Sequence, residues 1–198
     1  FATLGALSVV AAALIQTPGR VVLYHLDSPR AAGIFSAYFM ATVQVGLALV
    51  NMLQAVLIPL ASQREGQREA WAMLRDWGPP AAVVLPGAFA VGAAAVVAIM
   101  GRSYPLEPLW ILLFALAASA ILIHSVLAAV LAARDLSGLL ASVGASLGAG
   151  LLNLLITLSL APHFGVSGAA FGLAVSHAAS SVVLILLIPK EPPLRRGG

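Results

Sequence analysis

The residues best suited to chemistry fall into lines at helical spacing. Gln16, Arg20, Tyr24 and Asp27 recur at intervals of four, four and three, so all four share one helix face. A permanent cation flanked by hydrogen-bonding side chains on one face is suited to holding an anion. A second line, Gln44, Asn51 and Gln54, recurs at seven and three and shares its face with the apolar Met40 and Leu47. A third consists of Ser142, Ser146, Asn153 and Thr157, and two further clusters pair His124 with Ser125 and His177 with Ser176, Ser180 and Ser181.

Other chemistries are poorly supported. Asp27, Glu65, Glu69, Asp76, Glu107, Asp135 and Glu191 all lie at segment ends or in loops, so no carboxylate stands where an intramembrane proton or sodium site usually has one. There is no His-Glu-x-x-His zinc motif, no glycine-rich phosphate loop and no paired-carboxylate motif. The histidines are scattered over different segments, and each read alone is a helix-packing or interface residue. The expectation is a protein that is not an enzyme, with no metal and no cofactor.

The elements that must position these side chains follow from composition. Of 198 residues, 61% are hydrophobic and only 9% charged, with a mean hydropathy of +1.04. A soluble domain is about a quarter charged, so the chain belongs in a bilayer. Cysteine is absent, and the net charge of +3 reports orientation in a membrane protein, not nucleic-acid binding. Uncharged runs predict an all-α bundle of six transmembrane helices at about 2–26, 32–62, 80–100, 107–133, 137–160 and 167–188, each able to cross a bilayer. Pro18 and Gly19 predict a kink in the first. The segment from Ala161 through Pro162 to Gly165 divides the last run in two. Between the second and third spans, Trp71, Leu74 and Trp77 interleave with charges over Arg64 to Trp77, the pattern of a short interfacial helix.

Charge placement supplies an orientation. With the first helix starting in the cytoplasm, Arg64, Arg68, Arg75, Arg134, Lys190, Arg195 and Arg196 are cytoplasmic and Arg30 and Arg102 opposite, which satisfies the positive-inside rule. Both ends are then cytoplasmic, with a basic tail over 190–198. The chain opens on Phe1 within an apolar segment, so it reads as a fragment whose natural start lies upstream. Its preference for Arg over Lys, with Ala-, Leu- and Gly-rich helices, is that of a GC-rich bacterial genome.

Each polar position has two readings. Ser, Thr and Asn often serve as hydrogen-bonding glue between membrane helices, and Gly144-x-x-x-Gly148 and Gly168-x-x-x-Gly172 are close-packing spacings. Glue is preferred for the serines and is an even alternative for Asn51 and Asn153. Arg20, about 10 Å inside its span at about 1.5 Å per residue, requires water or a partner. It can snorkel to the interface, pair with Asp27 or face a cavity.

Three stretches resemble a known family. Ala31-Ala-Gly-Ile-Phe-Ser-Ala-Tyr38-Phe39, continuing to Leu57-Ile-Pro59-Leu-Ala-Ser62, resembles the "AGIYSAA…lfPxls" helix of polysaccharide flippases. Gly101-Arg-Ser-Tyr104 with Pro108 and Leu131-Ala-Ala-Arg134-Asp135 is similar to their "fGxxY…p…vlxaxgr" segment. The segment from Asn153 through Pro162-His-Phe-Gly165 to Gly168-Ala-Ala170 resembles "NlxLxxxLiPxyGxxGAA". The family is the oligosaccharide/polysaccharide flippase branch of the multidrug/oligosaccharidyl-lipid/polysaccharide exporter superfamily.

The resemblance implies one lobe, the C-terminal one, of a two-lobe fold around a central cavity, with an N-terminal lobe of the same chain missing here. It implies alternating-access transport of a lipid-linked glycan, a polyprenyl-diphosphate oligosaccharide, across the bacterial inner membrane for O-antigen or other surface polysaccharide biosynthesis. Arg20 matches the family's first-helix Arg and would contact the diphosphate or an acidic sugar. Gln16, Tyr24, Gln44, Asn51 and Asn153 would offer hydrogen bonds to the glycan. Two positions depart from the pattern: Gly19 stands where an Asp usually precedes that Arg, and Phe35 replaces the Tyr of "GIYS". A murein-precursor flippase or a multidrug antiporter of the same superfamily is an alternative, as is a non-transporting membrane scaffold.

Overall fold

The computed structural model describes residues 2–101 and 103–187; Arg102 and the expected basic tail over 190–198 lie outside them. The described residues form helices and connecting turns only: α1 (Ala2–Gln16), α2 (Pro18–Leu26), α3 (Pro29–Phe39), a π-helical segment (Met40–Gln44), α4 (Val45–Ala61), α5 (Arg64–Met100), α6 (Pro108–Ala132) and α7 (Leu136–Leu187). Four of these stretches are long and apolar enough to cross a membrane: Pro29–Ala61, Gly66–Met100, Pro108–Ala132 and Leu136–Leu187. The α1–α2 pair, bent by 42°, makes a fifth as one broken span.

At 52 residues, α7 would extend about 78 Å if straight, more than twice the roughly 30 Å hydrocarbon core. It reverses at Gly165, whose φ of 54° and ψ of −131° lie in a region that side-chain-bearing residues avoid. Beyond the turn the two halves pack antiparallel. A Cβ on Gly168 would come within 2.6 Å of the Leu160 carbonyl oxygen, and one on Gly172 within 3.0 Å of Thr157 Oγ1. Further along, Ser180 Oγ donates to the Ala145 carbonyl at 2.9 Å. The hairpin therefore lays the two halves of α7 side by side within the bundle. Helix persists through Pro162, where the sequence suggests a break, and the reversal is concentrated in one glycine.

The second difference lies in α5. An interfacial helix over 64–77 and a separate span over 80–100 are in fact one 37-residue helix. Gly66, Ala70 and Leu74 recur every fourth residue and face the bundle, with Ala70 fully buried. That stripe docks the segment as a continuation of the span. The tandem Pro79 and Pro80 deny hydrogen bonds to the carbonyls of Arg75 and Asp76. Those two residues are exposed, so water can satisfy the freed carbonyls.

Two helix starts have a side-chain cap. Ser28 caps α3 by accepting from Ala31 N at 3.1 Å, with Pro29 at the first helical position. Asp135 performs the same role for α7, accepting from Gly138 N at 2.7 Å and Ser137 Oγ at 2.6 Å while Arg134 Nε bonds its other oxygen at 2.8 Å. These bonds hold its carboxyl down at about 2, with Ser137, the Gly138 amide and Arg134 contributing in that order.

Helix α6 is the centre of the bundle, packed by α4, α5 and α7, and it is buried almost continuously from Phe114 to Leu131. Helices α1 and α2 lie on α7, and α2 also on α3. They do not touch α4 within the described residues. Helix α4 buries a narrow stripe against the bundle, Gly46, Val50, Leu57 and Ala61, with Leu47, Gln54 and Leu60 beside it. In lipid such association relies on close packing and hydrogen bonds, since tails are as apolar as the side chains. One end of the bundle gathers the turn at 27–28, the 101–107 loop and the Gly165 turn: Asp27 Oδ2 lies 3.0 Å from where a Gly165 Cβ would be, and Trp110 Nε1 donates to Ser167 Oγ at 2.9 Å.

Candidate functional site

The expected kink falls at Pro18, which has no N–H to give the carbonyl four residues back, Leu14. Asn153 on α7 supplies the missing donor: its Nδ2 reaches Leu14 O at 3.3 Å. Its Oδ1 accepts from Thr157 Oγ1 at 3.3 Å, and the side chain is 2% exposed. The Nδ2 end of the amide thus joins α7 to α1, and the Oδ1 end is taken up within α7.

The kink sets the position of Arg20, one turn further along. A side chain at Gly19 would overlap the Phe35 ring, so this position has room only for hydrogen. Arg20 has no ion pair with Asp27 among the described residues. Instead its guanidinium lies 5.0 Å from the centroid of Phe39 at the end of α3, a cation–π distance. It is half-buried, and its buried Nε has no hydrogen-bond partner among the described residues. Phe39 is held by Phe35 (5.9 Å, stacked), which meets Phe114 at 5.1 Å edge-on. The aromatic platform is therefore rigid and fully packed.

Directly after Phe39 the chain changes from α to π geometry over Met40–Gln44. Thr42 Oγ1 donates to the Tyr38 carbonyl at 2.7 Å within this disturbed stretch. A π turn contains one additional residue, which rotates everything downstream by about 100°. Gln44 at its end and Asn51 on α4 are exposed, as are Met40 at 55% and Met52 at 69%. Gln54 turns inward, with Nε2 3.5 Å from the Ser125 carbonyl.

The six candidate residues therefore divide into three sets. Gln16 and Arg20 are half-buried on either side of the bend. Tyr24 is 56% exposed beside His25, with ring centroids 5.3 Å apart. Gln44 and Asn51 share the uncovered face of α4, which α1 and α2 do not reach, while Asn153 is buried in the α1–α7 contact. Among the described residues, the link between the cation and the α4 face is Phe39.

Three features lie outside the sequence reading. Phe39 is adjacent to Arg20 only because α2 packs on α3. Tyr38, fully buried, donates its hydroxyl to the Pro105 carbonyl and accepts from Glu107 N at 3.2 Å, while its ring stacks on Phe114 at 5.5 Å and meets Trp110 edge-on at 5.8 Å. The i, i+3, i+4 spacing of Phe35, Tyr38 and Phe39 is the available signal. Third, two of the histidines that read as scattered, His124 and His177, are in contact. Among the described residues no cluster of His, Cys, Asp and Glu could hold a metal.

Fold and site define an all-helical, membrane-embedded bundle with a cation that has no ion pair among the described residues, at a kinked, aromatic-backed position. No family model, curated protein or solved structure matches the chain.

Proposed function

We propose that this chain is one lobe, the C-terminal one, of a flippase that moves a polyprenyl-diphosphate-linked oligosaccharide from the cytoplasmic to the periplasmic leaflet of a bacterial inner membrane by alternating access. The observation that carries the reading is Arg20: a membrane-embedded guanidinium over Phe39, with its Nε free of any acceptor among the described residues and no carboxylate beside it. A charge in that setting costs several kcal/mol unless a counter-charge or water reaches it. A diphosphate is the counter-charge that guanidinium geometry suits best. Gln16 stands one turn before Arg20 and Tyr24 one turn after it, in reach of the same ligand. The exposed Gln44 and Asn51 would line the wall that a second lobe closes. Asn153 serves this site indirectly, by fixing the kink.

The test is glycan export by the full-length protein carrying Arg20→Ala, Arg20→Lys or Arg20→Gln. The expected result is normal insertion with export reduced at least tenfold in Ala and Gln and partly retained in Lys. Undiminished export by Arg20→Ala would remove the role assigned to Arg20. Insertion without any glycan export by the wild-type protein would favour a scaffold.

A further inference from the structure

His124 on α6 and His177 on the second half of α7 meet in the interior of the bundle, their rings edge to face with centroids 5.6 Å apart. They are 2% and 0% exposed. Each ring is anchored by one nitrogen. His124 Nε2 lies 3.1 Å from Ser146 Oγ, and His177 Nδ1 lies 2.9 Å from the Leu173 carbonyl and 3.2 Å from Ser176 Oγ. A carbonyl only accepts, so His177 Nδ1 carries the hydrogen and its Nε2 is a bare lone pair. That Nε2, like His124 Nδ1, is buried and has no partner among the described residues. Two buried polar atoms without partners are costly in a packing role, which apolar side chains fill without them.

A groove of about 400 Å³ runs between the two halves of α7, lined by Gly144, Ala145, Gly148, Ala149, Ser176 and Ser180 among others. Gly144 and Gly148 have nothing packed over them. Ser176, which lines this groove, is the residue bonded to His177 Nδ1.

We propose that His124 and His177 form a proton-binding site inside the membrane, centred on their two unpartnered ring nitrogens. A hydrated proton delivers H⁺ to the His177 Nε2 lone pair and leaves as water; no other bond breaks. The resulting imidazolium keeps its Nδ1–H on Leu173 and turns Nε2–H into a donor. The two rings are too close for two cations, so the pair takes one proton.

The surroundings isolate the pair electrostatically. Among the described residues, no charged group outside the pair acts on either ring. Helices α1, α4, α6 and α7 contain no Asp, Glu, Lys or Arg, and His163 of α7 is exposed at the far turn. On α5, Arg68, Glu69, Arg75 and Asp76 are exposed; on α2, Arg20 lies over Phe39 and Tyr24 and His25 are exposed. On α3, Arg30 is exposed and Tyr38 is bonded to the 101–107 loop. Proton binding does not depend on the flippase reading; joined to that reading, it makes the proton the coupling ion.

The experiment is a ¹⁵N-histidine NMR titration of the full chain in lipid nanodiscs over about pH 5 to 8, with resonances assigned by His25→Gln, His124→Gln, His163→Gln and His177→Gln. The expected result is a one-proton step in the coupled ring signals of His124 and His177, lost in His177→Gln. The wild-type titration decides the matter even where a variant misfolds. Neutral ring shifts for both residues across the range would overturn the proposal, as would a titration that His177→Gln leaves unaltered. If the pair titrates and the full-length protein flips no glycan, the proton site stands and the flippase reading falls.

Discussion

Asn153 Nδ2 donates to the carbonyl of Leu14, the group that Pro18 leaves without its helical partner. A side chain on α7 thereby completes the hydrogen bonding of a bend in the first span, and the bend aims Arg20. Membrane helices tolerate proline where a neighbour can re-satisfy the backbone, and here that neighbour is a single amide.

The pairing can be tested by a double-mutant cycle. Asn153→Ala should lower stability by about 1–2 kcal/mol, the range of interhelical hydrogen bonds in lipid. In a Pro18→Ala background the substituted residue has an N–H that can bond Leu14 itself, so that cost should fall by half or more. Unfolding midpoints of the four proteins in mixed micelles measure it. An unchanged cost would mean that Asn153 acts through packing alone.

Gly165 should accept no other residue. Asn tolerates left-handed α backbone near a ψ of about +47°, but ψ here is −131°. Gly165→Ala and Gly165→Asn should therefore both destabilise, by about 1–3 kcal/mol, and a Cβ would in addition crowd the Asp27 carboxylate. Midpoint shifts in the same assay should be alike for the two variants; rescue by Asn would contradict this backbone account.

Asp135 predicts an acid-sensitive helix start. Its carboxyl is held at about 2 in the folded protein against 3.8 ordinarily. A depressed carboxyl contributes stability above its unfolded value and loses it as pH falls through the folded one. The loss attributable to this residue should therefore appear between about pH 4 and pH 2. Asp135→Asn retains an oxygen for the Gly138 amide and removes the charge, so the difference between wild type and variant should shrink across that window. Unfolding midpoints against pH provide the comparison.

Tyr38→Phe removes one hydroxyl while preserving the stack on Phe114. The 101–107 loop then loses its bonds at Pro105 and Glu107, worth about 1 kcal/mol each. Hydrogen exchange should quicken at the Glu107 amide by up to about tenfold, with little change in the middle of α6. Uniform acceleration through α6 would show that Tyr38 supports the whole core.

What was legible from residue order was whatever depends on local hydropathy and backbone chemistry. A long uncharged run has only one low-energy environment, so membrane embedding and the approximate positions of the spans followed from composition. The bend at Pro18 and the reversal near Gly165 followed because a missing N–H and a missing Cβ act within a few residues. The continuity of α5 is not legible at that level, because the charges interleaved with Trp71, Leu74 and Trp77 set that segment apart from the apolar run that follows it in the same helix.

Lateral relationships were not encoded in any spacing. The two glycine pairs looked equivalent, yet Gly168 and Gly172 seat the hairpin while Gly144 and Gly148 face an open groove. Asn51 and Asn153 looked equally ambiguous, yet one is exposed and the other completes a backbone. The contacts of Arg20 with Phe39 and of His124 with His177 depend on the rotation of each helix about its own axis. One additional residue in the π segment changes that rotation by about 100°. Helices in lipid choose their partners by the fit of small surface features, not by a hydrophobic stripe. The chain alone therefore determined where it crosses the membrane, and the tertiary packing decided which polar groups were used up in holding it together and which were left free to bind.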